Sequence, residues 1–466
     1  MEKAKPEYLV WGALALGMVV RLQLAFSDQG IYWPDEVYQS LEPAHRLVFG
    51  YGYVPWEFID GARNWALPGL VAGLFFFCKL FGLTDPGQYL GLTRIAFSAA
   101  SVGCAYGVFR LAKACGAREW PAAAAGAAAA LYPLGLYFGH RAMSENASAL
   151  TVVLGLWLVV EDGARWRRLV GASLLGLSVL LRLQCGLFCV AALLWLLIRR
   201  QWRKAGEAFA VLCGWAFVFG LLDKLTWGDW FHSAFKYLQF NLVEGRGSAW
   251  GTAGFGYYFH TLWTSMPVLT VVLALGALLS VRKAPLVFGA AVAFFVAHCF
   301  VPHKELRFLL PMLPLLFVLV GAGFSELPTG RVTQVAVAVL VLATGWQTVR
   351  LKSLTMGDIG AYPERPSTSA WDDYGPVNRL LEIAGRRPDL CGMYVPVHMA
   401  WAGGYSYFHK NVPLYMFNHG AQYRHYNYAI VPIQPGPVPI ATDGPYELAK
   451  IADACEPDPA FSWRLP

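Results

Sequence analysis

Trp65-Ala66-Leu67-Pro68-Gly69-Leu70-Val71-Ala72-Gly73-Leu74-Phe75-Phe76-Phe77-Cys78-Lys79-Leu80-Phe81 is the run on which the topology of this chain turns. It is apolar throughout except for Lys79, and it sits at the short limit of the roughly 17–25 residues that cross a bilayer. It therefore either spans or lies along the surface. Eleven other apolar runs surround it, over residues 8–26, 90–110, 120–138, 146–161, 168–183, 185–198, 207–223, 258–280, 285–301, 308–325 and 332–349. Positive charge decides between the two placements. With Lys3 and Lys5 inside and 65–81 kept on the outer side, four basic clusters fall inside: Arg110/Lys113/Arg118, Arg165/Arg167/Arg168, Arg199/Arg200/Arg203/Lys204 and Arg282/Lys283. If 65–81 spans, all four land outside, against the positive-inside rule. The expected architecture is a polytopic α-helical membrane protein with about 11 transmembrane helices and 65–81 re-entrant or interfacial.

Composition agrees. Of 466 residues, 56% are hydrophobic and 14% charged, against roughly 25% charged in a soluble domain. The net charge of +7 is distributed in short clusters between apolar runs, where it sets orientation, so no nucleic-acid partner is expected. The nine cysteines contain no CxxC pair, so no metal site is expected. Cys391 and Cys455 fall in a soluble-looking region and pair if that region lies outside the cytosol. The segment Tyr8 to Phe26 lacks a cleavage site and reads as a retained first helix.

This topology sends the unusual polar segments to one side. Loop 27–64, the turn His140–Asn146, Arg182–Gln184, loop 224–257, His303–Arg307 and everything after residue 350 are external. From about residue 351 the chain is rich in Pro and Gly. Apolar β-like stretches at Gly392–Val397 and Tyr428–Ile433 and helical patterns at 374–385 and 444–454 predict a small α/β domain. The expected division is 1–350 membrane domain and 351–466 external domain.

Loop 27–64 contains Ile31-Tyr32-Trp33-Pro34-Asp35-Glu36-Val37-Tyr38-Gln39, two adjacent carboxylates at the membrane surface. Desolvated carboxylates there mark a functional site, although Pro-Asp-Glu also suits a helix start. Asp35 is the candidate general base and Glu36 its neighbour. Tyr38, Leu41, His45 and Val48 follow helical spacing, predicting interfacial helices with Glu42 and Arg46 paired at i, i+4. Val301-Pro302-His303-Lys304-Glu305-Leu306-Arg307-Phe308 places basic residues where positive charge is otherwise avoided, as a site for an anionic phosphate. The alternative is a local Lys304–Glu305–Arg307 charge cluster with snorkelling anchors. Arg182 is the expected further phosphate contact, and Arg141–Glu145 an internal i, i+4 pair. Loop 224–257 combines an aromatic segment (Trp227 to Phe240) with Gly245, Gly247, Gly251, Gly254 and Gly256, a flexible stretch suited to a gate.

Trp33-Pro34-Asp35-Glu36 with Gln39, Glu42-Pro43-Ala44-His45 and Gly50-Tyr51-Gly52 resembles the first-loop signature of glycosyltransferase family 22. Trp56-Glu57-Phe58, Arg63 to Pro68, Asn241, Gly247-Ser248, Gly251 and Tyr257-Tyr258-Phe259 continue the resemblance. So do His303-Lys304-Glu305, Arg307-Phe308 and Pro311, over roughly residues 8–325. The resemblance implies a GT-C fold and inverting transfer of mannose from a polyprenyl- or dolichyl-phosphate donor to a glycan or glycolipid acceptor, making an α-linkage. It implies no nucleotide sugar, no cofactor and no obligatory metal. Asp35 would deprotonate the acceptor hydroxyl and Glu36 orient it. His303, Lys304, Arg307 and Arg182 would hold the donor phosphate, with Arg63, His45 and Ser248 as further substrate contacts. Another GT-C transferase with a different sugar or a protein acceptor shares these features. A lipid-linked saccharide transporter would instead show an internal repeat and midplane polar residues. The expected location is a bacterial inner membrane with a periplasmic site, or the endoplasmic reticulum membrane in a eukaryote.

Overall fold

The structure is a computed structural model that describes residues 5–27, 29–161, 163–350, 368–369, 372–373, 375–397, 402–416, 422–434 and 438–465. The chain divides into two compact units, residues 1–23 with 96–362 and residues 24–95 with 363–466. The expected boundary at 350/351 adjoins a segment outside the described residues. The second unit also takes in the first external loop, which the sequence division had assigned to the membrane domain.

The apolar runs become helices. Pro6–Ser27, Pro86–Ala114, Trp202–Trp227 and Arg331–Val349 are long and apolar enough to cross a membrane, and shorter apolar helices include Ser144–Val160, Pro267–Ser280, Pro285–Phe300 and Leu313–Phe324. Two expected spans are broken by proline. The run 120–138 divides into Glu119–Leu131 and Pro133–Phe138, with Tyr132 extended at ψ 146°. The run 258–280 divides at Met266 into Tyr257–Ser265 and Pro267–Ser280. In both, the ring of the following proline excludes its predecessor from the helical region.

Small residues set the packing in the first unit. Pro121 to Ala130 of the Ala-rich helix are all buried, and that helix packs against Leu313–Phe324 and Arg331–Val349. A Cβ on Gly323 would lie 2.1 Å from the Gly276 carbonyl oxygen, so Leu313–Phe324 and Pro267–Ser280 touch backbone to backbone. Buried Arg21 donates to the Gly17 and Ala130 carbonyls at 3.0 and 2.8 Å and to Ser101 at 3.0 Å.

In the second unit, the first loop forms short helices at Pro34–Glu36, Glu42–Phe49 and Trp56–Ile59, with a wider π turn at Val37–Leu41. Gly50 ends the second of these in the left-handed conformation, φ +85°, as a glycine after a helix does. The decisive run 65–81 becomes helix Ala66–Leu80 and packs against Val37–Leu41 and Glu42–Phe49. Its buried side is Leu67, Val71, Phe75 and Cys78, while Leu70, Phe76, Phe77 and Leu80 are exposed.

The tail begins with a two-residue hairpin, β1 (Thr368–Ser369) and β2 (Asp372–Asp373). A five-stranded sheet follows, built from β3 (Met393–Val395), β4 (Leu414–Met416), β5 (Tyr428–Pro432), β6 (Ala441–Asp443) and β7 (Tyr446–Lys450), in the order β4-β3-β5-β7-β6. β3 is parallel to β4 and β5, whereas β7 is antiparallel to β5 and β6. Helix Gly375–Gly385 packs on the sheet where the sequence pattern expects it. The helix expected at 444–454 is instead β7. Gly444-Pro445 makes the two-residue turn between Asp443 and Tyr446, with Gly444 at φ +52°, and Gly at the first central position is a hairpin signal that outweighs the short helical spacing. Cys391 and Cys455 form a disulfide.

Candidate active site

The two carboxylates of the first loop divide the two roles that the sequence leaves open. Glu36 is buried and its Oε2 accepts the Tyr32 N–H at 2.9 Å, so it closes the helix start from within. Asp35 is half-buried and accepts from the Gln39 side-chain amide. The same Gln39 Nε2 donates to Glu57 Oε1 at 2.8 Å, and Glu57 pairs with Arg63 at 3.6 Å. An amide nitrogen has two hydrogens. Gln39 forks them between two acids, and Arg63 balances the second. The Gln39 amide thereby orients the Asp35 carboxylate. Arg63 therefore sits behind the acid, as part of its support.

Glu42 and His45 hold the unit together. Glu42 is fully buried and takes three backbone N–H groups, Tyr53 at 2.8 Å, Tyr405 at 3.1 Å and Ser406 at 2.9 Å. It does not pair with Arg46, which donates to the Gly52 carbonyl at 2.6 Å. The order of magnitude explains the choice: an exposed i, i+4 pair is worth about 0.3–0.5 kcal/mol, a charged group's hydrogen bond about 1.5–3. His45 was expected as a substrate contact. Its Nδ1 lies 3.1 Å from the Tyr51 carbonyl and its Nε2 2.9 Å from His409 Nδ1. Burial, and secondarily His409, pushes its pKa down to about 3. Both ring nitrogens are thus engaged within the second unit.

In the first unit, three of the expected phosphate residues, Arg182, Arg307 and His303, converge on two glutamates. Glu145 pairs with Arg182 at 2.8 Å and Arg307 at 3.0 Å. Arg307 also grips Glu305 through Nε at 2.6 Å and Nη2 at 3.0 Å, and His303 Nε2 lies 3.0 Å from Glu305 Oε1. Both guanidinium groups lie over the Phe308 ring, at 5.2 and 5.0 Å. Burial pushes the Glu305 carboxyl up, but Arg307 and then His303 outweigh it and hold it well below the usual carboxylate range. The Glu305 bond in turn raises the His303 pKa against its partial burial. Arg141 is not Glu145's partner: it stacks on Tyr137 at 4.7 Å. Two arginines arriving from residues 182 and 307 displace the local i, i+4 pair.

The late motif also holds the glycine loop. His303 Nδ1 meets the Gly251 carbonyl at 2.9 Å, Lys304 Nζ donates to the Ala253 carbonyl at 2.6 Å, and the Ala253 N–H donates to Pro302 at 3.0 Å. Lys304 donates to the Val301 carbonyl as well. Its ammonium is thus engaged by backbone carbonyls. Ser248 is exposed on the turn Arg246–Trp250, rather than within the buried network. Sequence reasoning gave no role to Gln39 as the fork, or to the Tyr258 hydroxyl, which is buried without a hydrogen-bond partner among the described residues.

Known proteins extend this picture. GPI mannosyltransferase 3 of Yarrowia lipolytica is 31% identical over 323 residues, covering 66% of this chain and 61% of the relative. GPI mannosyltransferase 3 of Drosophila melanogaster is 30% identical over 332 residues, covering 66% and 55%. The chain spans little more than half to three fifths of the length of these relatives. The crystal structure of ArnT from Cupriavidus metallidurans bound to undecaprenyl phosphate superposes with a TM-score of 0.59 at 13% identity, over 96% of this chain and 99% of that one. The shared fold is a polytopic membrane fold of the GT-C kind. The model of the Alg9-like mannosyltransferase family matches residues 13–357, and the chain belongs to that family.

Proposed function

We propose that the chain transfers a mannosyl residue from a polyprenyl- or dolichyl-phosphate donor to a glycan or glycolipid acceptor at the external face of the membrane. Family membership and the names of the relatives support the sugar. The undecaprenyl phosphate bound by ArnT supports a lipid-phosphate donor. The observation that carries the reading is Asp35, half-buried beside the buried Glu36 and oriented by Gln39.

Asp35 takes the proton of the acceptor hydroxyl as that oxygen forms its bond to the anomeric carbon. The bond from that carbon to the phosphate oxygen breaks, and its electron pair leaves with the lipid phosphate. Inversion at a β-linked donor gives an α-linkage. Within the first unit, Arg182, Arg307 and His303 are the groups that would bind a lipid phosphate and stabilise charge developing on it. The Tyr258 hydroxyl is a further donor in the same unit. Phosphate binding replaces Glu145 or Glu305 as a partner of one guanidinium. The late motif and glycine loop move together in this reading, because three hydrogen bonds join them.

The test is Asp35→Asn, which keeps the shape and removes the base. Mannosyl transfer to a glycolipid acceptor falls by about 10²–10⁴ in kcat, with donor KM and expression unchanged. Wild-type turnover in this variant would remove Asp35 from the mechanism. The same assay run with other lipid-phosphate sugars decides the donor.

A further inference from the structure

Three of the four basic clusters that the charge count assigns to the inner side meet in space. A cleft of about 190 Å³ in the first unit is lined by Arg168, Arg199, Lys204 and Lys283, with Glu161 and Trp195. Its volume is far above the ~10–15 Å³ that admits a single water. The remaining wall is apolar, including Val159, Val160 and Leu286.

Three features make this cleft a receptor for an anion. First, among the described lining residues the cations outnumber the carboxylate Glu161, which itself pairs with Arg110 at 3.7 Å and with Arg167. Arg168 is held by Glu207 at 3.0 Å and Lys283 by Glu326 at 2.8 Å, while Arg199 stacks on Trp195 at 5.3 Å. Second, the Nε–H of Arg168 is buried with no hydrogen-bond acceptor among the described residues, and a buried donor without an acceptor is costly. Third, two long helices start at the cleft, Trp202–Trp227 after Gln201 and Pro285–Phe300 after Ala284, and neither has a side-chain cap. Their first-turn amides and dipoles favour an anion in the same place.

We propose that this cleft binds a phosphate anion, the headgroup of an acidic phospholipid of the inner leaflet. The apolar wall favours a lipid source, because acyl chains continue from the headgroup along the helices. It lies at the end of the first unit marked by the inner-side charge clusters, so it serves anchoring of the helix ends and not sugar transfer.

The experiment titrates the purified full chain in detergent with phosphatidylglycerol and with phosphatidylcholine, reading bound lipid by native mass spectrometry. One phosphatidylglycerol binds at least tenfold more tightly than phosphatidylcholine. Arg199→Ala/Lys204→Ala weakens it by about 30-fold, whereas Arg203→Ala/Arg282→Ala, equal in charge lost but outside the cleft, leaves it unchanged. Equal binding of the two lipids by the wild type, which needs no variant to fold, overturns the proposal. Equal loss in both double variants also overturns it, since general charge would then suffice. Inorganic phosphate serves as the second arm: protection against thermal unfolding as strong as that from phosphatidylglycerol keeps the phosphate site and assigns it to a soluble anion.

Discussion

Replacing Glu42 by Gln tests whether one buried carboxylate ties the first loop to the tail within the second unit. Its Oε1 accepts from Tyr53 and Tyr405 and its Oε2 from Ser406. Gln retains one oxygen and sets an NH₂ group against at least one backbone N–H, leaving that donor buried and unsatisfied at about 1–3 kcal/mol. Losing the charge assistance of the remaining bonds adds on the order of 1 kcal/mol. The expected cost is about 2–4 kcal/mol, or roughly 30- to 700-fold in protection. Hydrogen exchange of the full chain in detergent reads this directly at the amides of Tyr53, Tyr405 and Ser406. Amides of the Ala-rich helix 119–131, in the other unit, serve as the internal reference. Protection of the three amides within about threefold of wild type would refute the clamp. The converse substitution, Gly404→Ala, places a Cβ 2.8 Å from Glu42 Oε2 at φ +58° and should open the same amides.

Other outcomes follow from the same geometry. Glu145→Ala leaves Arg182 and Arg307 buried without their shared carboxylate, at a cost of about 3–5 kcal/mol, visible as a lower Tm in detergent. An unchanged Tm contradicts the network. His303 has a raised folded pKa, so its contribution is complete below its ordinary value near 6.5 and fades as pH rises through the raised value. Exchange of the amides at 251–256 should increase over that window, and His303→Ala should make it insensitive to pH there. Cys391→Ser/Cys455→Ser opens a 64-residue separation and destabilises the tail by about 4 kcal/mol in the loop-entropy account. Limited proteolysis of 391–455, with and without reductant, measures it.

Much of this fold is legible because membrane length is a strong signal. The apolar runs at 8–26, 146–161 and 332–349 return as Pro6–Ser27, Ser144–Val160 and Arg331–Val349. Pro133 and Pro267 are visible breakers, yet continuous hydropathy conceals the breaks. In the tail, Gly444-Pro445 is a turn signal that the helical spacing of 444–454 obscured. Asp35 stands out as an acid in an aromatic loop, and Gln39 lies one turn on, at a separation that a helix closes. The Glu145–Arg307 pair joins residues 162 apart, and no local pattern encodes such a pairing. The burial of His45 was not legible either, because its partner His409 lies 364 residues later.

Glu42 also imposes an order on biosynthesis. Its acceptor oxygens emerge early, while two of its three donors, Tyr405 and Ser406, lie 363 and 364 residues downstream. At roughly 5–20 residues per second, the first loop waits about 20–70 s for them. During that interval the helices between the two segments are being inserted, and Glu42 exists without the Tyr405 and Ser406 amides. The acidic loop is therefore completed last although it is made first, and a ribosome stalled before residue 405 leaves a chain with membrane helices but an unfinished first loop.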